Sequence, residues 1–265
     1  MGWNSAYWEG KQERAKKAQQ HHIYCKSKFK DEIDYSIANT TIYSKQNIDM
    51  NIIGTNSPSK VIVDNIDTVS GLFIYNEGKT AVLNFASYKN PGGGFMQGSG
   101  AQEEALCHES TLYEVLSSTK FVEYYNWNNQ NKNNALYRNR GLYSPSIIFE
   151  KDNAQLSADV ITVAAPNRKA YMDYCPTATE EENLMALRSR ICFIRAIALA
   201  QRVDTLILGA YGCGVFGQDP NVVAKEFKET FKNTGIKTVY AVIDKGGHSR
   251  EGAYCIFNNI MHRGL

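Results

Sequence analysis

The chain predicts an α/β protein: an α/β/α sandwich around a mixed, mostly parallel sheet, with a helical extension at its N-terminus. Three observations predict it. The strand-like runs are short and almost wholly apolar, as in Ala81-Val82-Leu83, Val160–Ala165 and Thr205–Gly209, which is the pattern of strands buried on both faces. Helix-patterned segments separate them. Two glycine-rich turns follow two of these runs, where strands of such sheets hand over to helices.

Residues 1 to about 37 form the extension, and 38–265 the remaining domain. Glu9 to Gln20 is polar and helix-prone. Residues 1–30 hold seven Lys or Arg against Glu9 and Glu13, a local net of +5. Such a run either attracts a polyanion or is the solvated face of a helix. Thr40–Ser44, Lys60–Asp64 and Gly71–Tyr75 read as short β-runs, followed by the strand Thr80–Phe85. Residues 102–118 suit a helix, with Leu106, Leu112, Tyr113 and Leu116 for the core. Asn126–Arg140 is Asn-rich and reads as a loop or insertion. Ser146–Phe149 and Val160–Ala165 are strands, the second ended by Pro166. Thr179 and Glu182 form a capping box for a helix to Gln201, along which Leu184, Leu187, Ile191, Ile194 and Ala198 recur at helical spacing. After Thr205–Gly209, Asp219-Pro220 opens a helix with Asp as N-cap and Pro at its first position. Lys237–Ile243 is the last strand and Glu251–Met261 a closing helix.

Composition sets bounds. Apolar residues make up 43% of 265, enough for a sizeable core, and a net charge of +2 says little about partners. Six cysteines without a C-x-x-C pair read as reduced thiols rather than a disulfide frame or zinc site, and the scattered histidines suggest no metal. The Trp-, Tyr- and charge-rich start is unlike a secretory leader, and no apolar run nears the length of a membrane helix, so a cytoplasmic protein with no membrane contact is expected.

The chemistry concentrates in Asn84-Phe85-Ala86-Ser87-Tyr88-Lys89-Asn90-Pro91-Gly92-Gly93-Gly94, running on to Gln102-Glu103-Glu104. A strand, a glycine loop and a helix N-terminus in that order make a pocket for an anion, because glycines let the backbone come close and free N–H groups point at the charge. Ser99 and Gln102 fit a capping box that makes Gln102 the third helical residue. Glu103 and Glu104, about 100° apart on a helix, cannot share one role. Acids in a first turn also have a bland explanation, since the helix dipole favours them by about 0.3–1 kcal/mol. Asn84, Ser87 and Asn90 are either ribose ligands or turn formers. A second loop, Gly209-Ala210-Tyr211-Gly212-Cys213-Gly214-Val215-Phe216, follows its own strand. Neither loop is a Walker or dinucleotide fingerprint. Cys213 and Cys107, the latter beside His108, are better explained as small buried thiols than as nucleophiles.

Gly-Gly-Gly, seven residues, then Gln-Glu-Glu resembles the signature of the poly(ADP-ribose) glycohydrolases. Asn84–Ser87 and Gly209–Phe216 resemble their compact bacterial members, and the resemblance spans roughly residues 36–262. It implies a macrodomain-like core and hydrolysis of ribose–ribose O-glycosidic bonds in poly(ADP-ribose), mainly exo, releasing ADP-ribose. Hydrolysis of mono-ADP-ribose adducts and non-catalytic ADP-ribose reading are the alternatives. The partners it implies are poly(ADP-ribose) or ADP-ribosylated macromolecules, met by a monomer that needs no cofactor or metal. By this resemblance Glu104 is the general acid and base and Glu103 orients a ribose hydroxyl. The binding set is Asn84, Ser87, Asn90, Gly92, Gly93, Gly94 and Gln102 around the ribose, with Gly212, Cys213, Gly214, Val215 and Phe216 around the diphosphate. Phe216 packs on the ribose or simply in the core. Asp67 is a candidate for adenine recognition.

Overall fold

The computed structural model describes residues 2–244 and 252–263, with side chains from residue 9 on. Seven strands form one sheet in the order β1-β4-β5-β3-β6-β7-β2: β1 Thr41–Ser44, β2 Val61–Asp64, β3 Thr80–Phe85, β4 Arg140–Lys151, β5 Ala154–Val163, β6 Thr205–Leu208 and β7 Lys237–Ala241. β5, β3, β6, β7 and β2 run parallel, and β4 and β1 join antiparallel at one edge. β3 is central and its first five residues are buried, so it demands apolar residues on both faces. β4 and β5 form a hairpin whose turn residues Asp152 and Asn153 both have positive φ (50° and 65°), the backbone that short-chain Asp and Asn tolerate best. Pro145, which has no N–H for a ladder, falls where the β4–β5 register shifts.

Helices cover both faces. One core gathers Val69, Val82, Leu106, Leu112, Phe121 and Val160; the other gathers Leu83, Ile161, Ile191, Ile194, Leu206 and Phe227. Neighbours such as Val82 and Leu83 fall into different cores because strand side chains alternate. The expected sandwich is the observed one. Its first face carries α1 Gly2–Lys28, α2 Lys30–Asn39, α3 Thr68–Tyr75, α4 Gln102–His108, α5 Leu112–Leu116 and α6 Val122–Gln130. α7 Arg168–Tyr174, α8 Glu180–Ala200, α9 Pro220–Phe231 and α10 Ala253–His262 complete the set. Among the described residues no helix is long and apolar enough to cross a membrane.

Several elements differ from the sequence reading. Gly71–Tyr75 is helical: Asp67 accepts the Ser70 amide and starts α3, and this cap outweighs the β-branched and aromatic residues that read as strand. The helix expected over 102–118 is two, α4 and α5, because Ser110 leaves to pair with Phe149 of β4. The Asn-rich segment is helical as far as Gln130, the end of α6. The capping box at Ser99 does not form. Ala101 is the N-cap and Gln102 the first helical residue, and Ser99 instead donates its amide to the Gly94 carbonyl. Thr179 caps α8 by accepting the Glu182 amide, but its own amide goes to the Tyr171 hydroxyl, so the expected box is only half formed; Asp219 caps α9 by accepting the Asn221 amide. The last helix begins at Ala253; Glu251, its expected start, lies outside the described residues. The N-terminal helices are seated in the molecule, contributing Ala18, Cys25, Phe29 and Ile33 to the first core.

Candidate active site

β3 delivers the first loop. β6 pairs with β3 only at Thr80–Val82, which leaves Leu83 and Phe85 without ladder partners on that side. The Gln102 side chain fills the gap: its Oε1 accepts the Phe85 amide at 2.8 Å and its Nε2 donates to the Leu83 carbonyl at 2.9 Å. Gln102 thus fixes the start of α4 against the end of β3. Both ends of its amide are engaged by the strand, and the residue lines the neighbouring cavity.

The two following acids turn under the glycine loop. Glu103 accepts the Ser87 amide at 2.6 Å and the Asn84 Nδ2 at 3.1 Å. Glu104 accepts the Gly94 amide at 2.8 Å through Oε1 and reaches back to the Ala101 amide at 2.9 Å through Oε2. That is the reciprocal half of a capping box, since Ala101 has no acceptor of its own. Both acids are nearly inaccessible, at 3% and 5%. Gly92 and Gly93 have φ of +64° and +61°, a backbone that glycine adopts without strain. A Cβ on Gly93 would stand 2.5 Å from Glu104 Oε1 and 3.0 Å from Glu103 Oε2, so only glycine can cover the pair. Burial pushes Glu103 up to about 8, against the pull of the Ser87 amide and Asn84. Asn84 Oδ1 is buried beside it without a donor.

The second loop leaves β6 and turns at Gly212, whose φ is +75°. Gln218 holds it in place, donating its amide to the Gly212 carbonyl and its Nε2 to Pro166 and Asn183. The amides of Gly214, Val215 and Phe216 have no acceptor among the described residues. Gly214 has open space around it, and Val215 is 77% exposed. Gly212–Phe216 line one side of a cavity of about 750 Å³; Gly100–Gln102 and Phe85 line another. The second loop and the start of α4 therefore face each other across the cavity, whereas Asn84, Ser87, Asn90 and Gly92–Gly94, expected around the ribose, are not in its wall. Glu103 and Glu104 follow directly behind the Gly100–Gln102 wall and are not themselves in it.

The remaining expected residues sort by contact. Ser87 and Asn90 build the turn, Ser87 Oγ accepting the Lys89 and Asn90 amides. Phe216 lines the cavity and also packs on Tyr137, with ring centroids 6.2 Å apart. Asp67 lines the cavity while capping α3, and Lys151 stands 3.7 Å away. Burial drives the thiols of Cys213 and Cys107 far up, which disfavours thiolate and with it nucleophilic chemistry. The sequence reading missed Asn128 and Asn129. From the end of α6 they donate to the Tyr88 and Lys89 carbonyls at 2.9 and 3.1 Å and clamp the turn that carries Ser87. The run of asparagines was the available signal.

Residues 11–152, more than half the chain and including the first loop and both acids, match the family described as "Microbial-type PARG, catalytic domain". The chain belongs to that family. PARG denotes poly(ADP-ribose) glycohydrolase, and solved PARG structures extend the likeness across the second loop. The enzyme from Thermomonospora curvata is 25% identical over 94% of this chain and 99% of its own, with a TM-score of 0.81, and it has also been solved with the inhibitor ADP-HPD. The PARG from Deinococcus radiodurans, solved with ADP-ribose, is 29% identical over 88% and 98%, with a TM-score of 0.79. No curated protein matches the chain.

Proposed function

We propose that this PARG hydrolyses the terminal ribose–ribose bond of poly(ADP-ribose) with Glu104 as its general acid and base. The observation that carries the reading is the placement of Glu103 and Glu104 under Gly93, one and two residues behind the wall of a cavity faced by Gly212–Phe216. The free amides of Gly214, Val215 and Phe216 suit the diphosphate of a terminal ADP-ribose unit. Its distal ribose then lies against the Gly100–Gln102 wall, beyond which α4 carries both acids. Glu104 gives its proton to the leaving hydroxyl oxygen as the C1–O bond breaks. The carboxylate then takes a proton from the water whose oxygen bonds to C1, which restores the acid. Glu103, held by Ser87 and Asn84, orients a ribose hydroxyl. A single ADP-ribose unit filling the cavity of about 750 Å³ would accord with attack at chain ends. Six unpaired cysteines accord with action in the reducing cytoplasm, and we propose a monomer.

A second reading exchanges the acids. It is favoured by the raised Glu103 carboxyl, which holds a proton at neutral pH. One pair of variants decides. Glu104→Gln is expected to abolish release of ADP-ribose from polymer while binding ADP-ribose within a few-fold of the parent. Glu103→Gln is expected to keep measurable turnover. Chromatography of the released ADP-ribose, with calorimetry of its binding, reads both. Substantial turnover by Glu104→Gln together with an inactive Glu103→Gln would transfer the acid role to Glu103.

A further inference from the structure

A second cavity, of about 890 Å³, opens where β1, the end of α6, the segment 131–140 and α8 meet. Its walls carry Lys45, Arg138, Arg140 and Arg190 and no acidic residue. Among the described residues none of the four cations forms an ion pair. Arg190 is 1% exposed, yet its guanidinium donates only to neutral oxygens, those of Asn139, Ala164 and Leu136. Arg140 lies over the rings of Trp127 and Tyr124, at 4.5 and 4.9 Å, and its buried Nη1 has no acceptor. Cations held out of water without a counter-charge are costly, and an anion entering the groove relieves that cost. Trp127, 39% exposed, adds an aromatic surface.

The groove adjoins the active site. Tyr137 lines it, stacks on Tyr88 at 4.3 Å, and touches Phe216 of the first cavity at 6.2 Å. Tyr88 follows Ser87, which holds Glu103. Phe216 belongs to the first cavity and Tyr137 to the groove, so this ring contact is where a polymer held in the first cavity would pass into the groove.

We propose that this groove is a binding site for the ADP-ribose unit on the leaving-group side of the scissile bond. Its diphosphate faces Lys45, Arg138 and Arg140, and a base has Trp127 to stack on. This rests on the hydrolase reading above. Lys45 and Arg138 are exposed, so their replacement leaves the core intact.

The test compares two substrates on the full chain and on the Lys45→Ala/Arg138→Ala variant. One is poly(ADP-ribose). The other is an ADP-ribose whose anomeric carbon carries nitrophenol, which has no nucleotide beyond the bond. The variant is expected to lose about tenfold in kcat/KM on polymer, roughly 1.4 kcal/mol, and to stay within twofold on the nitrophenyl glycoside. Its polymer kcat/KM is also expected to depend less steeply on salt, because two phosphate contacts are gone. Equal kinetics on polymer, or equal losses on both substrates, would overturn the groove's role while leaving the hydrolase reading intact. Failure of the parent chain to cleave either substrate would overturn both.

Discussion

At the scale of single residues, the site works by placing two like acids in unlike surroundings. Glu104 is bound by two amides of its own loop and helix start, at Gly94 and Ala101. Glu103 is sunk against Asn84, whose Oδ1 is an unfilled acceptor. A neutral Glu103 has a hydroxyl to donate, and exchanging the two ends of the Asn84 amide would present that acceptor to it. The consequence for stability has a definite sign. Glu103 titrates near 8 in the folded protein and near the ordinary 4.5 when unfolded, so between these values the folded state holds a proton that the unfolded state has released. Stability is then full below about 4.5 and is lost as pH rises toward 8, by up to ~1.4 kcal/mol per pH unit for one such group. Buried Glu114, pushed up to about 7, acts in the same direction over a narrower range. Thermal melts should therefore show Tm falling from pH 5 to 8. In Glu103→Gln, neutral in both states, the part of the fall between pH 7 and 8 should disappear. An unchanged slope there would mean that Glu103 is ionised in the folded enzyme.

At the scale of elements, the glycine loop is held from behind by α1. Arg14 Nε donates to the Gly98 carbonyl at 2.8 Å, His21 bonds the Ser110 carbonyl at 2.9 Å, and His22 bonds Glu114 of α5 at 3.0 Å. At Gly98, φ is +74° and a Cβ would fall 2.0 Å from the Lys11 carbonyl oxygen. Gly98→Ala must push helix and loop apart, at a cost of about 1–3 kcal/mol. A Tm lower by about 5 °C is expected for a chain of this size, with slower polymer hydrolysis because the loop carries Glu104's partner. A variant melting like the parent would show that α1 does not brace the loop. Little of this brace was legible. Among the described side chains of α1 the buried ones are Ala18 and Cys25, small residues in a polar segment with no apolar stripe. α8 was legible because its cap and its stripe agree. α3 was misread because its residues favour strands and the cap at Asp67 decides otherwise. The break after α4 depends on pairing with Phe149, some forty residues away, which no local pattern reports. The two glycine loops could be read because their backbone demands glycine and few other residues. The groove could not, because its cations come from three separated segments.

At the scale of the whole molecule, the cavity between the loops is what ties the two halves of the chain together. One wall is built from residues 100–102, the other from 212–216, and the sheet carries both at the carboxyl ends of adjacent strands, β3 and β6. A ligand that bridges them binds the folded state and not the unfolded one. At a hundred times its dissociation constant it adds about 2.7 kcal/mol to stability, and a Tm rise of roughly 5–10 °C is expected from ADP-ribose. Gly214→Val isolates the cause. Nothing lies within 4 Å of a Cβ at that position, so the variant should melt like the parent when free of ligand. Its side chain would enter the space in which the 214–216 amides meet the diphosphate. The rise with ADP-ribose should then disappear, and calorimetry should show binding weakened by at least tenfold. Gly212→Val cannot make this distinction, because its positive φ and the nearness of Ala165 strain the fold itself. A Gly214→Val protein that still gains the full shift would remove the second loop from the diphosphate site and leave the ligand to be held by the first loop alone.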